Sequence, residues 1–341
     1  MTKIAILGGG SWGTALSVVL TRARNQHEIC VWIHDADLAQ TIRRGRENPV
    51  YLPGIPIPAS VGVTNELQEA AADANIVVGA MPAAHAREIY AQAVSNCPPE
   101  AVFVSATKGL EPATHLRMSD VLSQALNPAG PFISQPALQR IAVLSGPSFA
   151  AEAGREEPTA IVIASHNARL ATQLQEEFAG PNFRLYTNDD VLGVELAGAM
   201  KNVIALAAGA CQGLGLGSNA LAALITRGLA EMTRLAASLG ARAETLSGLA
   251  GLGDLVLTCT GALSRNRHVG IELGKGRPLK EILAGMRMVA EGVGTTAALM
   301  ALSREAGIEL PITEQVNAIL NQGKSPREAI RDIMERPLKR E

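Results

Sequence analysis

At 341 residues the chain is long enough for two domains with sizeable cores. A net charge of −2 gives no general electrostatic drive toward nucleic acid, and 3% aromatic residues are too few for stacking platforms on single strands. Cys30, Cys97, Cys211 and Cys259 lack C-x-x-C spacing, as expected of reduced thiols in a cytoplasmic protein, and the six histidines lack ligand spacing, so no metal is expected.

Lys3 to Leu7 is a short apolar run that predicts a buried parallel strand. Gly8, Gly10 and Gly13 follow in G-x-G-x-x-G spacing, and Ala15 to Leu20 continue as helix. Dinucleotide binding needs that order. The first glycine makes the tight turn, the second admits the pyrophosphate, and the third lets helix and strand pack closely. A second strand, Ile29 to Ile33, follows at the right distance, so the pattern predicts a dinucleotide site. A lysine before an apolar stretch also resembles a signal peptide. However, Gly8-Gly9-Gly10-Ser11 break that run and no convincing cleavage site follows. No apolar run reaches the roughly 18 residues of a membrane span, so no span is predicted.

After these strands comes a proline-rich connector, Pro49 to Pro58, read as an irregular loop. Ile76 to Met81, Ala101 to Ser105 and Ile141 to Leu144 are further apolar strands, with helical stretches such as Ala84 to Val94 between them. This alternation predicts a doubly wound, mostly parallel α/β sheet, a Rossmann domain over residues 1–188, with Ala160 to Ile163 and Phe183 to Tyr186 at its far edge. Strand signals then stop. Thr187 to Asp190 is a helix-start cluster, and Val191 to Cys211 is apolar nearly all round, as an internal helix is. Helices are predicted over Leu221 to Leu239, Arg265 to Leu273 and Thr295 to Ala306, and after Pro311. The last helix begins with Ser325 as cap, Pro326 at its first position and Glu328 completing a capping box. Residues 189–341 therefore read as an all-helical domain.

The segment Gly248 to Gly270 surrounds one acid, Asp254, with permissive residues and ends in Ser264-Arg265-Asn266-Arg267. Arg265 and Arg267 offer planar donor forks suited to phosphate. Ser264 caps a helix whose first N–H groups would point at the same anion. Lys201 lies within the apolar helix, where an ammonium is costly unless paired or able to lose its proton. That suits a general acid/base; a structural pair with Glu195 is disfavoured by their spacing. Lys108 follows the strand ending at Ser105, beyond whose carboxyl end ligands bind, and Gly146 and Ser148 follow the next strand as candidate donors. Gly146-Pro147-Ser148-Phe149-Ala150 also resembles a nucleophile elbow ending in alanine. A serine hydrolase using Ser148 with His166 or His268 is thus a second reading, and a non-catalytic dinucleotide sensor a third. Neither gives Lys201 a role.

Taken together, GGGSWGTA (8–15), ATKGLEP (106–112), SGPSFAAE (145–152), GAMKN (198–202), GLAGLGDLVLTCTGALSRNRHVG (248–270), VAEGVGT (289–295) and SPREAI (325–330) resemble the bacterial-type NAD(P)-dependent glycerol-3-phosphate dehydrogenases across essentially the whole chain. The resemblance implies reversible hydride transfer between NAD(P)H and dihydroxyacetone phosphate, giving sn-glycerol 3-phosphate for phospholipid synthesis. By motif position it makes Lys201 the catalytic acid/base. It assigns Lys108, Gly146, Ser148, Lys201, Asp254, Ser264, Arg265 and Asn266 to substrate. To the cofactor it assigns Ser11, Trp12, His34, Lys108, Ala150, Arg265, Val289 and Glu291, beside Gly8, Gly10 and Gly13 of the glycine pattern. An acid after the second strand ordinarily holds the NAD ribose. Here Asp35 suits NAD and His34 a 2′-phosphate, so NAD(H) and NADP(H) both remain open. Oligomeric state is not set by the sequence, and a homodimer is one assembly it allows.

Overall fold

The computed structural model describes residues 1–130 and 134–338. Its strands are β1 (Thr2–Leu7), β2 (His27–Trp32), β3 (Glu47–Asn48), β4 (Leu52–Pro56), β5 (Val61–Thr64), β6 (Ile76–Gly79), β7 (Val102–Ser105), β8 (Ile141–Ser145), β9 (Thr159–Ala164) and β10 (Phe183–Asn188). Eight of them form one sheet in the order β10-β9-β8-β7-β6-β1-β2-β5. Every neighbouring pair is parallel except β8 and β9. The exception follows from chain length. Only the five-residue helix Ala150–Gly154 lies between β8 and β9, too short to carry the chain back along the sheet for a parallel return.

Successive residues of β1 enter two different cores, which is why its sequence is continuously apolar. Ile4 and Ile6 pack with Leu16 and Leu20 of the Ser11–Leu20 helix, whereas Ala5 and Leu7 pack with Tyr90, Phe103 and Met118. Both faces of the sheet are therefore covered, as in a doubly wound fold. The strand order reverses beside β1, between β2 and β6, and at such a switch point the crevice beyond the strand ends accepts ligands.

The connector Pro49 to Pro58 is not irregular: β3 and β4 pair as an antiparallel ribbon. Buried Asn48 fixes it. Its amide donates to the Gly9 carbonyl and to Thr14 Oγ1, each at 2.9 Å, and its Oδ1 accepts from Tyr51 N at 3.0 Å. Prolines are tolerated here because a two-stranded ribbon is all edge.

The chain divides into two compact units, one of Met1–Glu111 with Leu116–Glu195, the other of Pro112–His115 with Leu196–Glu341. No strand follows β10 among the described residues. Helices Val191–Gly213, Ser218–Ser238, Asp254–Thr260, Arg265–Gly274, Glu291–Ala306, Pro311–Asn321 and Pro326–Met334 are the longer ones after it. Val191–Gly213 is long and apolar enough to cross a membrane by length and composition, and 89% of its apolar window is buried inside the protein. The last helix carries the expected capping box of Ser325 and Glu328. The helix expected from Thr295 starts a turn earlier, at Glu291.

Within the second unit, Glu231 is 1% exposed and caps another helix from outside its sequence. Its oxygens accept from Ile312 N (2.8 Å), Thr313 N (2.9 Å) and Thr313 Oγ1 (2.7 Å), the first-turn donors of Pro311–Asn321. Burial pushes this carboxyl up, and the hydrogen bonds from Thr313 and Ile312 oppose that push. Glu231→Gln replaces one acceptor with an NH2 and strands a buried donor, so it is expected to cost about 1–3 kcal/mol of stability. Urea unfolding followed by circular dichroism checks this; an unchanged midpoint contradicts the capping role.

Candidate active site

In the first unit the glycine loop leaves β1 with Gly8 at φ +123°, a backbone region that favours glycine, and Gly8 N donates to the Trp32 carbonyl at 3.1 Å. A Cβ on Gly13 would stand 1.9 Å from Gly8 O, so helix and loop touch backbone to backbone. A Cβ on Gly10 would meet nothing within 4 Å. Space, rather than neighbouring protein, lies beside Gly10, at the start of a helix with no side-chain cap and no acid in its first turn. That is an anion-accepting geometry. Ser11 Oγ donates to the Tyr51 carbonyl at 2.7 Å, tying the helix start to the ribbon. Trp12 is half-buried and packs against the core, with its indole N–H lacking an acceptor.

After β2, His34 is exposed with its ring edge-on to Trp32, the centroids 5.8 Å apart. Asp35 engages its own helix through one oxygen. Its Oδ1 accepts from Leu38 N at 2.9 Å and caps Ala36–Gly45.

Lys108 and Gly146 follow the adjacent parallel strands β7 and β8 at the same, carboxyl end of the sheet. Lys108 Nζ donates to the Gly146 carbonyl (2.7 Å) and to Ser148 Oγ (3.1 Å), and Ser148 Oγ donates to the same carbonyl at 2.8 Å. Gly146 has φ +129°, and a Cβ there would lie 3.0 Å from Ile161 Cα on β9. No histidine hydrogen-bonds Ser148 among the described residues; its side-chain neighbour is Lys108, so neither His166 nor His268 is seen as its base. Ala150 opens the next short helix. Glu111, three residues beyond Lys108, is gripped by Nε and Nη2 of the Arg87 guanidinium at 2.8 Å each, which steadies the segment carrying Lys108. No local pattern in the sequence announces this pair.

In the second unit Lys201 is 6% exposed and Asp254 1%. Lys201 Nζ donates to Asp254 Oδ1 and to Thr258 Oγ1, each at 2.7 Å. The Thr258 hydroxyl in turn donates to the Asp254 carbonyl at 2.6 Å, which leaves its lone pairs for Lys201. Glu195 is engaged elsewhere, accepting from Ser119 N (2.8 Å), Ser119 Oγ (2.5 Å) and Arg117 (3.3 Å). An ammonium this buried persists because a carboxylate and a hydroxyl replace its water. Thr258 was missed in the sequence, although its spacing of four from Asp254 puts both on one helix face.

Ser264 is buried and caps the Arg265–Gly274 helix, accepting from Arg267 N at 3.2 Å. Arg265 is exposed, and its Nη1 donates to the Val289 carbonyl at 3.0 Å, just before half-buried Glu291. Asn266 is a latch between helices: its Nδ2 donates to Asn202 Oδ1 and its Oδ1 accepts from Gly292 N, each at 2.9 Å. The helices bearing Lys201 and Arg265 pack backbone to backbone. A Cβ on Gly209 would stand 2.0 Å from Arg267 O, and one on Gly270 2.0 Å from Leu206 O. These glycines set how far the Ser264 cluster stands from Lys201.

The sequence patterns of the N- and C-terminal parts of NAD-dependent glycerol-3-phosphate dehydrogenases match residues 3–171 and 190–331. A Koribacter versatilis protein named glycerol-3-phosphate dehydrogenase [NAD(P)+] is 52% identical over 338 residues, covering 99% of this chain and 98% of its own. The protein of that name from Myxococcus xanthus is 50% identical over 337 residues, with 99% and 98% covered. The crystal structure of glycerol-3-phosphate dehydrogenase from Coxiella burnetii aligns with TM-score 0.90 at 38% identity, covering 98% of this chain and 99% of that one.

Proposed function

This chain belongs to the NAD-dependent glycerol-3-phosphate dehydrogenase family, and from that premise we propose which of its residues carry the reaction and what the reaction serves. It is an NAD(P)-dependent oxidoreductase that interconverts dihydroxyacetone phosphate and sn-glycerol 3-phosphate. The open space at Gly10 and the uncapped helix start fit a dinucleotide pyrophosphate. When bound, the reduced nicotinamide supplies a hydride to the carbonyl carbon of the substrate.

The first unit, with Gly8, Gly10, Ser11, Trp12, Gly13, His34 and Ala150, holds the nucleotide, aided by Val289 and Glu291. Lys108, Gly146 and Ser148 hold substrate, Lys108 also serving the cofactor. In the second unit Lys201 delivers a proton to the carbonyl oxygen as negative charge develops there. Asp254 and Thr258 keep the ammonium charged and aimed, and the positive charge of Lys201 favours the same oxygen before the proton moves. Ser264, Arg265 and Asn266 bind the phosphate end, Arg265 also contacting the cofactor. The observation that carries this assignment is the Lys201–Asp254–Thr258 triad, a buried proton-bearing group held at 2.7 Å by two partners.

Absorbance at the nicotinamide band tests the function. Oxidation of reduced cofactor that depends on dihydroxyacetone phosphate supports it. Ester hydrolysis without cofactor supports the Ser148 hydrolase instead, and cofactor binding without turnover a sensor.

Both NADH and NADPH are expected as substrates, because the carboxylate of Asp35 is drawn to the helix it caps and His34 stands exposed beside it. His34→Ala is expected to lower kcat/KM for NADPH more than for NADH. Comparing the two values before and after substitution checks this, and an unchanged ratio removes His34 from cofactor selection.

The product serves phospholipid synthesis on this reading, which depletion of the protein and labelling of glycerolipids would test. We place the enzyme in the cytoplasm, supported by four unbridged cysteines, and as a homodimer, for which exposed Leu216, Leu252, Val256 and Leu263 offer apolar surface.

A further inference from the structure

The phosphate of the substrate is close to doubly charged near neutral pH, and one exposed guanidinium, Arg265, does not balance it. We infer that Arg267 is a second cation for that phosphate, acting beside Ser264 and Arg265. The inference deepens the dehydrogenase reading and rests on it.

Arg267 is half-buried in the first turn of the Arg265–Gly274 helix. Its Nη1 donates to the Gly261 carbonyl at 3.3 Å, while its Nε–H is buried and has no acceptor. No carboxylate among the described residues pairs with it. Of the neighbouring cations, Lys201 is paired with Asp254, while desolvation pushes the Arg265 guanidinium down and the charge of Glu291 opposes that push. Arg267 therefore carries one buried donor that no protein acceptor meets, a cost that an anion accepting from this guanidinium would relieve. A guanidinium fork suits phosphate in particular.

Its location connects it to the reacting end of the unit. Gly261 closes the Asp254–Thr260 helix, so the hydrogen bond to its carbonyl ties Arg267 to the segment that carries Asp254 and Thr258. Ser264 Oγ accepts from Arg267 N, which places the arginine among the donors at the helix start. The fully buried Cys259 thiol lies within reach of both cations. Burial pushes it up to about 12 against the opposing pull of Lys201 and Arg267.

A purely structural arginine, holding only the Gly261 carbonyl, would affect every substrate alike; a phosphate ligand acts on the phosphorylated one. The test compares Arg267→Gln and Arg267→Lys with the parent enzyme, using dihydroxyacetone phosphate and unphosphorylated dihydroxyacetone. Inorganic phosphate serves as competitive inhibitor, and cofactor fluorescence measures Kd. For Arg267→Gln, kcat/KM for dihydroxyacetone phosphate is expected to fall about tenfold or more beyond any fall with dihydroxyacetone. Inhibition by inorganic phosphate weakens, cofactor Kd does not change, and Arg267→Lys recovers part of the loss. An equal loss with both substrates, or an unchanged inhibition constant for phosphate, overturns the inference. Should Arg267→Gln fail to fold, Arg267→Lys decides it, because losing the fork still lowers the same ratio if Arg267 grips the phosphate and leaves it unchanged if it does not. A parent enzyme inactive on dihydroxyacetone phosphate would overturn the dehydrogenase reading. Arg267 would then be judged separately, by whether inorganic phosphate raises the Tm of the parent and not of the variant.

Discussion

Lys201→Met is expected to fold, to bind reduced cofactor as the parent does, and to lose at least ~10²-fold in kcat, the scale on which a general acid contributes. Methionine keeps the length and apolar stem of lysine but carries no proton. The site makes this substitution informative because the ammonium is only 6% exposed, with both Asp254 and Thr258 at 2.7 Å. Removing the lysine leaves Asp254, itself 1% exposed, as a buried carboxylate without its counter-charge. That loss lowers stability, so folding must be verified by circular dichroism beside the rate. Asp254→Asn in the same background restores a neutral pair and should recover stability without recovering turnover. A Lys201→Met enzyme that binds cofactor and turns over like the parent would show the lysine to be structural.

The second large effect is expected for Arg265→Ala. Truncating a charge-assisted contact to phosphate costs about 2–5 kcal/mol when the pair is desolvated, or roughly 30-fold to several thousandfold in kcat/KM. Arg265 is exposed at the surface although its guanidinium is partly desolvated, so the lower part of that range is expected. The residue does hold the Val289 carbonyl at 3.0 Å, and a change in the backbone beside Glu291 should accompany its loss. Steady-state kinetics with dihydroxyacetone phosphate and with each reduced cofactor separate the contributions. An unchanged kcat/KM for dihydroxyacetone phosphate removes Arg265 from the phosphate site, whereas a rise in cofactor KM alone assigns it to the nucleotide.

The parts of the fold that were legible in sequence are those governed by local rules. The glycine spacing announced a strand, a tight turn and a helix because each glycine answers a steric demand: positive φ at Gly8, and contact with Gly8 O at Gly13. The capping box at Ser325 and the cap at Ser264 were readable because a helix start is decided by a few neighbouring residues. What escaped was set by partners distant in sequence. The β3–β4 ribbon looked irregular because its organiser, Asn48, bonds to Gly9 and Thr14. That Asp35, which suggests a ribose ligand, also caps its own helix through Oδ1 was not read. The antiparallel entry of β9 went unread although both strands were placed to within a residue, because it depends on the brevity of the helix in the link between them. At the candidate site, burial pointed to Lys201, but its partner Thr258 and the glycine contact at Gly209 and Gly270 become apparent only when two helices are packed together.

The central claim is that hydride passes directly from nicotinamide to the substrate carbonyl while the protein supplies the proton. The most direct measurement uses reduced cofactor deuterated at both C4 positions, dihydroxyacetone phosphate in ordinary water, and mass spectrometry of the product. The account predicts sn-glycerol 3-phosphate carrying one deuterium at C2, and no C2 deuterium when unlabelled cofactor is used in heavy water. Product without the label, or C2 deuterium drawn from solvent, would contradict it.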